Sequence, residues 1–475
     1  MNPARETFPK RSLIIISVPF RRNSKLLLSS GLYEEIKKTY AVLIISPFGN
    51  EQNFQKEFGG INVSFLDCPM SSASIRHPFN LLFDISEKMR FNGYWFRFRQ
   101  GRMRYFWELV KTGRDDPGKK SFKARCFGIL LGYSGYFRAA WRLFDRLFGS
   151  QFYDLDPLKR HLQNYANAIV VQTGNWGYQE RFLSHASLEL ALKNILVPYT
   201  TDQLSINGYL ISDFHRICTQ GPVESAYAFD YHQVDRKKIV KLGMIWLRNL
   251  ESLADASETK RKKVGSRKRT ILYAGVSSLY FGRRHELEAV DRIISDIEAG
   301  IIPNAKLIYR PVISNPDELR EIEWKYKGKD LLEIQLPQQS MIGMFQSGQT
   351  VPVKSEIADY MRSICSIDLF VMSCTTSMLL DAMFFKIPVI ANFYDATEPV
   401  REGLNRLLLK DDPFELIASG MRVVLSTEEM MSAVYAALDD PKACCEAQKQ
   451  VLNQWDYPDM NYVEGFMHLL RELAA

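Results

Sequence analysis

The chain lacks the residues that several large functional classes require. Its seven cysteines (Cys68, Cys126, Cys218, Cys365, Cys374, Cys444, Cys445) contain no CxxC pair and no regular spacing. Such a scattered, odd-numbered set excludes a disulfide frame and a cysteine-built zinc site, and points to reduced thiols. The seven histidines form no ligand-spaced cluster, so no metal is expected. Walker A, GxSxG and HExxH sequences are absent. There is no short-period repeat. No apolar run is long enough to span a bilayer. Leu13–Val18 is too short for a signal-peptide core and is closed by Pro19. The expected location is the cytoplasm, with room for peripheral contact at the inner face of the cytoplasmic membrane.

What is present is globular. The 475 residues are 46% hydrophobic and 24% charged, which excludes disorder, collagen and coiled coil, and the length suggests two to four domains. The formal charge of +7 is unevenly placed. Residues 88–148 hold 15 Lys/Arg against 4 Asp/Glu, a net +11, so the rest of the chain sums to −4. A partner for one segment is therefore implied.

The order of patterns predicts an α/β fold. Ser12–Val18, Tyr40–Ser46 and Ile61–Leu66 read as buried parallel strands separated by helical stretches, one of them at 25–38. Residues 73–150 break this rhythm with aromatic, basic, helix-spaced sequence. Strands resume at Asn167–Gln172, Asn194–Val197, Phe214–Thr219 and Val234–Met244. The charged stretch 251–269 reads as an exposed linker rather than a nucleic-acid patch. Thr270–Ala274 restarts the pattern, followed by strands at Lys306–Arg310, Leu331–Gln335, Leu369–Ser373 and Val389–Asn392. Val451–Leu473 has helical apolar spacing. Two Rossmann-like domains facing a cleft are expected. Residues 1–250 form the first, with the insertion at about 73–150; 251–269 is the linker; 270–440 forms the second; and 441–475 forms helices crossing back to the first.

The most informative segment is Ser366–Asp395. A buried strand ends at Ser373, a hydroxyl-rich turn of Cys374, Thr375, Thr376 and Ser377 follows, and a helix opens. Helix N-termini present unpaired N–H groups and the positive end of a dipole, so added hydroxyls make a phosphate cradle. Asp381 follows Ser377 by four residues and shares its helix face. A carboxylate there can accept hydrogen bonds from a ribose. The bland alternative is an ordinary N-cap. The segment resembles the nucleotide-sugar signature of GT-B glycosyltransferases: the hydroxyl turn Thr375-Thr376-Ser377, the acidic Asp381, then Pro388-Val389-Ile390 on the next strand. Ile271–Ser278 resembles the opening strand and loop of that family's nucleotide domain, with Gly275, Ser277 and Ser278 near phosphate. Leu307–Pro311 resembles its strand ending in Arg-Pro, with Arg310 placed for the diphosphate and Val312 where the family has His. Thr201–Gly208 resembles a stretch of bacterial surface-polysaccharide (capsule and O-antigen type) transferases through Asp202, Leu204, Ser205 and Gly208.

The resemblance implies a glycosyltransferase that moves a sugar from a nucleotide-activated donor to a surface-polysaccharide or lipid-linked acceptor. It implies no metal and no cofactor beyond the nucleotide sugar as substrate. Thr375, Thr376, Ser377, Asp381, Gly275, Ser277, Ser278 and Arg310 would bind the donor, and Asp202 would act as base. Two alternatives stay open: a CDP-glycerol-type polyol-phosphate transferase, and an inactive membrane-associated scaffold of polysaccharide assembly. Asp154-Leu155-Asp156 spells the DxD of metal–nucleotide sites in another fold, but it adjoins Pro157 at a helix start, where Asp caps are common. The 16 aromatic residues among the 15 cations of 88–148 suit an anionic membrane surface. A packed helical subdomain is the competing reading, and nucleic acid is not an expected partner.

Overall fold

The computed structural model describes residues 12–98, 152–248, 268–275, 283–313, 316–336, 360–373, 378–393 and 421–475. Short gaps fall at 21–22, 24–26, 69–79, 166, 201–202, 207 and 361, and a few positions are described between 142 and 147.

The first half is a seven-stranded parallel sheet of order β3-β2-β1-β4-β5-β6-β7. Its strands are β1 (Leu13–Ser17), β2 (Ala41–Ser46), β3 (Val63–Asp67), β4 (Ala168–Gln172), β5 (Lys193–Leu196), β6 (Arg216–Thr219) and β7 (Ile239–Lys241). The second half is a six-stranded parallel sheet of order β10-β9-β8-β11-β12-β13. It comprises β8 (Arg269–Ala274), β9 (Ala305–Arg310), β10 (Leu332–Ile334), β11 (Leu369–Ser373), β12 (Val389–Asn392) and β13 (Arg422–Val424). Strands β1, β2, β4 and β11 are buried along their whole length. This matches their unbroken apolar sequence, because parallel sheets are covered on both faces. Two Rossmann-like sheets are thus what the alternating pattern predicted. Each reverses its strand order once, between β1 and β4 and between β8 and β11, the position at which such sheets open a crevice.

Among the helices are α1 (Gly31–Thr39), α2 (Asn80–Phe98), α3 (Tyr178–Glu189), α4 (Pro222–Asp230), α5 (Arg283–Glu298), α6 (Met378–Phe384), α7 (Thr427–Asp439), α8 (Pro441–Trp455) and α9 (Tyr462–Ala474). Helix α9 leaves the second half and packs on the first. Phe466, Leu469, Leu470 and Leu473 join Ile14, Leu32 and Ile36 in one core. Its end is pinned by Asn167 Nδ2 to the Ala474 carbonyl at 2.7 Å and by Lys193 Nζ to the Leu473 carbonyl at 2.7 Å.

The apolar spacing of Val451–Leu473 is not one helix. Asp456 ends α8 in extended backbone, and Asn461 caps α9 by accepting from the Glu464 N–H at 3.2 Å. The intervening turn carries the joint between the halves. Asp456 accepts from the Met244 N–H at 2.8 Å and from the Arg248 guanidinium. Tyr457 hydrogen-bonds Ser225 at 2.8 Å. Trp455 is fully buried beside Tyr227. Elsewhere the boundaries tighten. The expected helix at 25–38 begins at Gly31. Of Val234–Met244 only Ile239–Lys241 pairs in the sheet, because Asp235 caps a 3-10 turn over 236–238.

Candidate functional site

Both switch points lie at the carboxyl ends of strands, where short loops bring side chains from separate elements together. In the second sheet, Arg310 ends β9 and Asp381 lies in α6, just after the hydroxyl turn. The structure joins them through Tyr360. The Tyr360 hydroxyl donates to Asp381 Oδ2 at 2.5 Å, and the Arg310 guanidinium lies 5.0 Å over the Tyr360 ring. Burial and the adjacent Asp381 charge push the Tyr360 phenol well above its ordinary pKa, with Arg310 opposing. Tyr360 thus stays a neutral donor and fixes one carboxylate oxygen of a side chain that is only 3% exposed.

On the opposite face of the same sheet runs a second polar layer. Tyr273 of β8 shares a hydrogen bond of 2.8 Å with Ser373 Oγ at the end of β11 and accepts from Asn392 Nδ2 at 3.1 Å. Tyr309 of β9 donates to Glu286 Oε1 of α5 at 2.5 Å. Gly275, directly after β8, is buried against that same carboxylate: a Cβ there would stand 2.3 Å from Glu286 Oε1. Its immediate neighbour is the protein's own Glu286.

In the first sheet, the switch point holds a buried carboxyl. Glu180 of α3 is fully buried and accepts from Gln172 Nε2 at 2.8 Å. Its other oxygen lies against Gly174, whose Cβ would be 2.9 Å away. Burial raises its pKa to about 8, outweighing the hydrogen bonds from Gln172, Ser17 and the 173–174 backbone. Gln179 ties the same region together by donating to Ser17 Oγ and to the Ile45 carbonyl, each at 2.8 Å.

Of the predicted site residues, Arg310 and Asp381 are brought together, and Gly275 lies against Glu286 and the polar layer of the other face. Asp202, Ser277, Ser278, Thr375, Thr376 and Ser377 lie outside the described residues, as do 251–267 and most of the basic insertion. Within that insertion, Arg90 is fully buried, bonded to the Tyr209 carbonyl and paired with Glu87. Tyr94 is buried and stacks on His232 at 5.4 Å. This part packs into the first domain. Asp154 accepts from the Asp156 N–H at 3.1 Å, a local turn at a helix start. Among the described residues, no group of three His, Cys, Asp or Glu is placed to hold a metal, and no helix is long and apolar enough to cross a membrane. Sequence reading missed Tyr360, Glu286 and Glu180. Only the Tyr-Arg pair ending β9 offered a signal, since the other partners meet across the fold.

No protein-family model matches the chain, and no curated protein matches it. Solved structures do. A Listeria monocytogenes protein assigned as a UDP-N-acetylglucosamine 2-epimerase superposes with a TM-score of 0.51 at 11% identity, over 98% of this chain and 96% of that one. The Neisseria meningitidis UDP-GlcNAc 2-epimerase, bound to UDP-GlcNAc, superposes with a TM-score of 0.50 at 10% identity, over 98% and 100%. The chain has the GT-B fold. At such identities the likeness concerns the fold alone.

Proposed function

We propose that the chain is a nucleotide-sugar-dependent glycosyltransferase acting on a surface-polysaccharide or lipid-linked acceptor. The observation that carries this reading is the convergence of Arg310, Tyr360 and Asp381 at the carboxyl edge of the second sheet. A guanidinium there is suited to a diphosphate. A carboxylate oriented by a tyrosine at the same edge is suited to a ribose hydroxyl. Residues 270–440 bind the donor in this reading, with the turn 374–377 and Ser277 and Ser278 completing the phosphate contacts. Stabilising charge on a departing nucleoside diphosphate is the electrostatic part of the catalysis. The first domain, residues 1–250, takes the acceptor. Asp202 serves as the base that removes the acceptor proton, and 88–148 holds the enzyme at an anionic membrane.

A second reading is sugar epimerisation. It is favoured by superposition of 98% of the chain on UDP-GlcNAc 2-epimerases. One experiment separates the readings. The protein is screened by thermal shift against UDP-, GDP- and CMP-sugars and CDP-glycerol, and the stabilising compound is then incubated with enzyme and membrane extract. Transfer releases nucleoside diphosphate from a UDP- or GDP-sugar, or CMP from a CMP-sugar, in step with acceptor glycosylation. Epimerisation returns an intact nucleotide sugar with altered sugar NMR signals. A response to CDP-glycerol alone would replace the sugar donor by a polyol phosphate. No response to any nucleotide would leave a scaffold.

A further inference from the structure

We propose that Phe20 and Trp176 form a stacking platform for a pyranose ring of the acceptor. The proposal rests on the transferase reading and deepens its acceptor side. The loop after β1 and the loop after β4 leave the first sheet at its switch point, so their residues wall the crevice that opens there. Phe20 lies on the first loop and Trp176 on the second. Their rings stack with centroids 4.6 Å apart at an interplanar angle of 23°. Residues 173–175 and 178–180 are buried around them, whereas Phe20, Trp176 and Gly177 keep part of their surface in solvent.

The two loops are tied to each other and to the sheet. Thr173 Oγ1 donates to the Ser17 carbonyl at 2.8 Å. Asn23 Nδ2 donates to Thr173 Oγ1 at 2.9 Å and to the Thr173 carbonyl at 3.2 Å. Asn175 accepts from the Ile211 N–H at 3.0 Å, anchoring the second loop to a third segment. Gly177, at φ +92°, turns the chain into α3 with its Cβ position 4.0 Å from the Phe20 ring. A side chain at that position would have to adopt the strained positive-φ region. The aromatic pair is therefore preorganised, which reduces the ordering cost of binding.

The chemistry selects the ligand. An aromatic face carries negative charge density and attracts weakly positive C–H edges. A pyranose offers a face of axial C–H groups and a rim of hydroxyls. A nucleobase also stacks on aromatic rings, but the donor's base is assigned to the second sheet.

Saturation-transfer NMR tests the platform, using methyl glycopyranosides of glucose, galactose, mannose and N-acetylglucosamine. In parallel, the protein is titrated with whichever of UDP, GDP and CDP stabilises it. We expect pyranose C–H signals in the natural protein, a fall of at least fivefold in Trp176→Ala and in Phe20→Ala, and retention in Trp176→Phe. Nucleotide affinity should stay within twofold in all three, which also reports an intact fold. No pyranose signal in the natural protein, or equal signals in Trp176→Ala, would overturn the proposal. Loss of nucleotide binding in folded Trp176→Ala would assign the platform to a base instead. Failure of the transferase reading has a different signature: no nucleotide binds the natural protein at all.

Discussion

Gly275 and Glu286 compete for one volume: a methyl group on Gly275 would lie 2.3 Å from Glu286 Oε1, well inside contact distance. Gly275→Ala must therefore displace a buried carboxylate that Tyr309 already holds. A loss of roughly 1–3 kcal/mol of stability is expected, as for other overpacked interiors. Combining it with Glu286→Ala should cost clearly less than the sum of the two single changes, because the clash is removed. Urea denaturation of the four proteins of this cycle measures the coupling. Strict additivity would mean that the two residues do not share the space.

The Tyr360–Asp381 bond separates binding from support. Asp381→Ala removes the carboxylate, and nucleotide affinity should fall by roughly 1–3 kcal/mol, as for loss of a charged hydrogen bond. Tyr360→Phe removes only the group that orients the carboxylate, so a loss of about 0.5–1.5 kcal/mol is expected. Calorimetric titration of both variants gives the order. A larger effect from Tyr360→Phe would reverse these roles.

Glu180 makes stability depend on pH. Its carboxyl has a folded pKa of about 8 against an ordinary 4.5. Between these values the folded protein holds a proton that the unfolded chain has lost. Stability from this group is fully present below about 4.5 and is lost as pH rises through about 8. The slope within that window approaches about 1.4 kcal/mol per pH unit. Glu180→Gln should flatten it. Denaturation midpoints from pH 5 to pH 9 provide the check, and parallel curves for both proteins would contradict it.

At the joint between the halves, Asp456 holds the Met244 N–H and the Arg248 guanidinium. Asp456→Ala strands a cation whose side chain is only 14% exposed. A loss of about 3–5 kcal/mol is expected for such a broken buried pair. Differential scanning calorimetry should show a lower transition. An unchanged transition would mean that the turn adds nothing to the joint.

The basic insertion is expected to bind anionic vesicles at low salt and to release them at high salt. Leu143 and Leu147 are 56% and 61% exposed, one helical turn apart in sequence, beside Arg142 and Arg146. Leu143→Ser with Leu147→Ser should reduce co-sedimentation severalfold, leaving the fold intact. Arg90→Ala should unfold the region instead, because Arg90 is buried and paired. Equal binding to neutral vesicles would defeat the electrostatic account.

The strands most legible in the sequence are those whose burial is two-sided. The runs Leu13–Ser17, Ala41–Ser46 and Ala168–Gln172 announce themselves because every residue must be apolar or bonded. Short edge strands such as β7 and β13 were blurred or missed, since a three-residue pairing leaves little pattern. Arg310 and Asp381 were readable because each sits at a fixed offset from a strand end. Tyr360, Glu286 and Glu180 were not, because their partners lie on other elements: a carboxylate beneath a glycine has no local sequence signature. The break between α8 and α9 was masked by apolar residues that keep helical spacing on both sides while packing against different domains.

The return of α9 has a consequence for the order in which the molecule is made. Phe466, Leu469, Leu470 and Leu473 fill a core with Ile14 and Leu32, residues more than 400 positions earlier in the chain. A ribosome delivers the first sheet long before the helix that closes it. The half that is synthesised first is therefore completed last, and its apolar face must wait through translation of the whole second sheet. That interval exposes a nascent surface to chaperones and to other chains. A stop codon near 460 would leave the second sheet intact and the first one open.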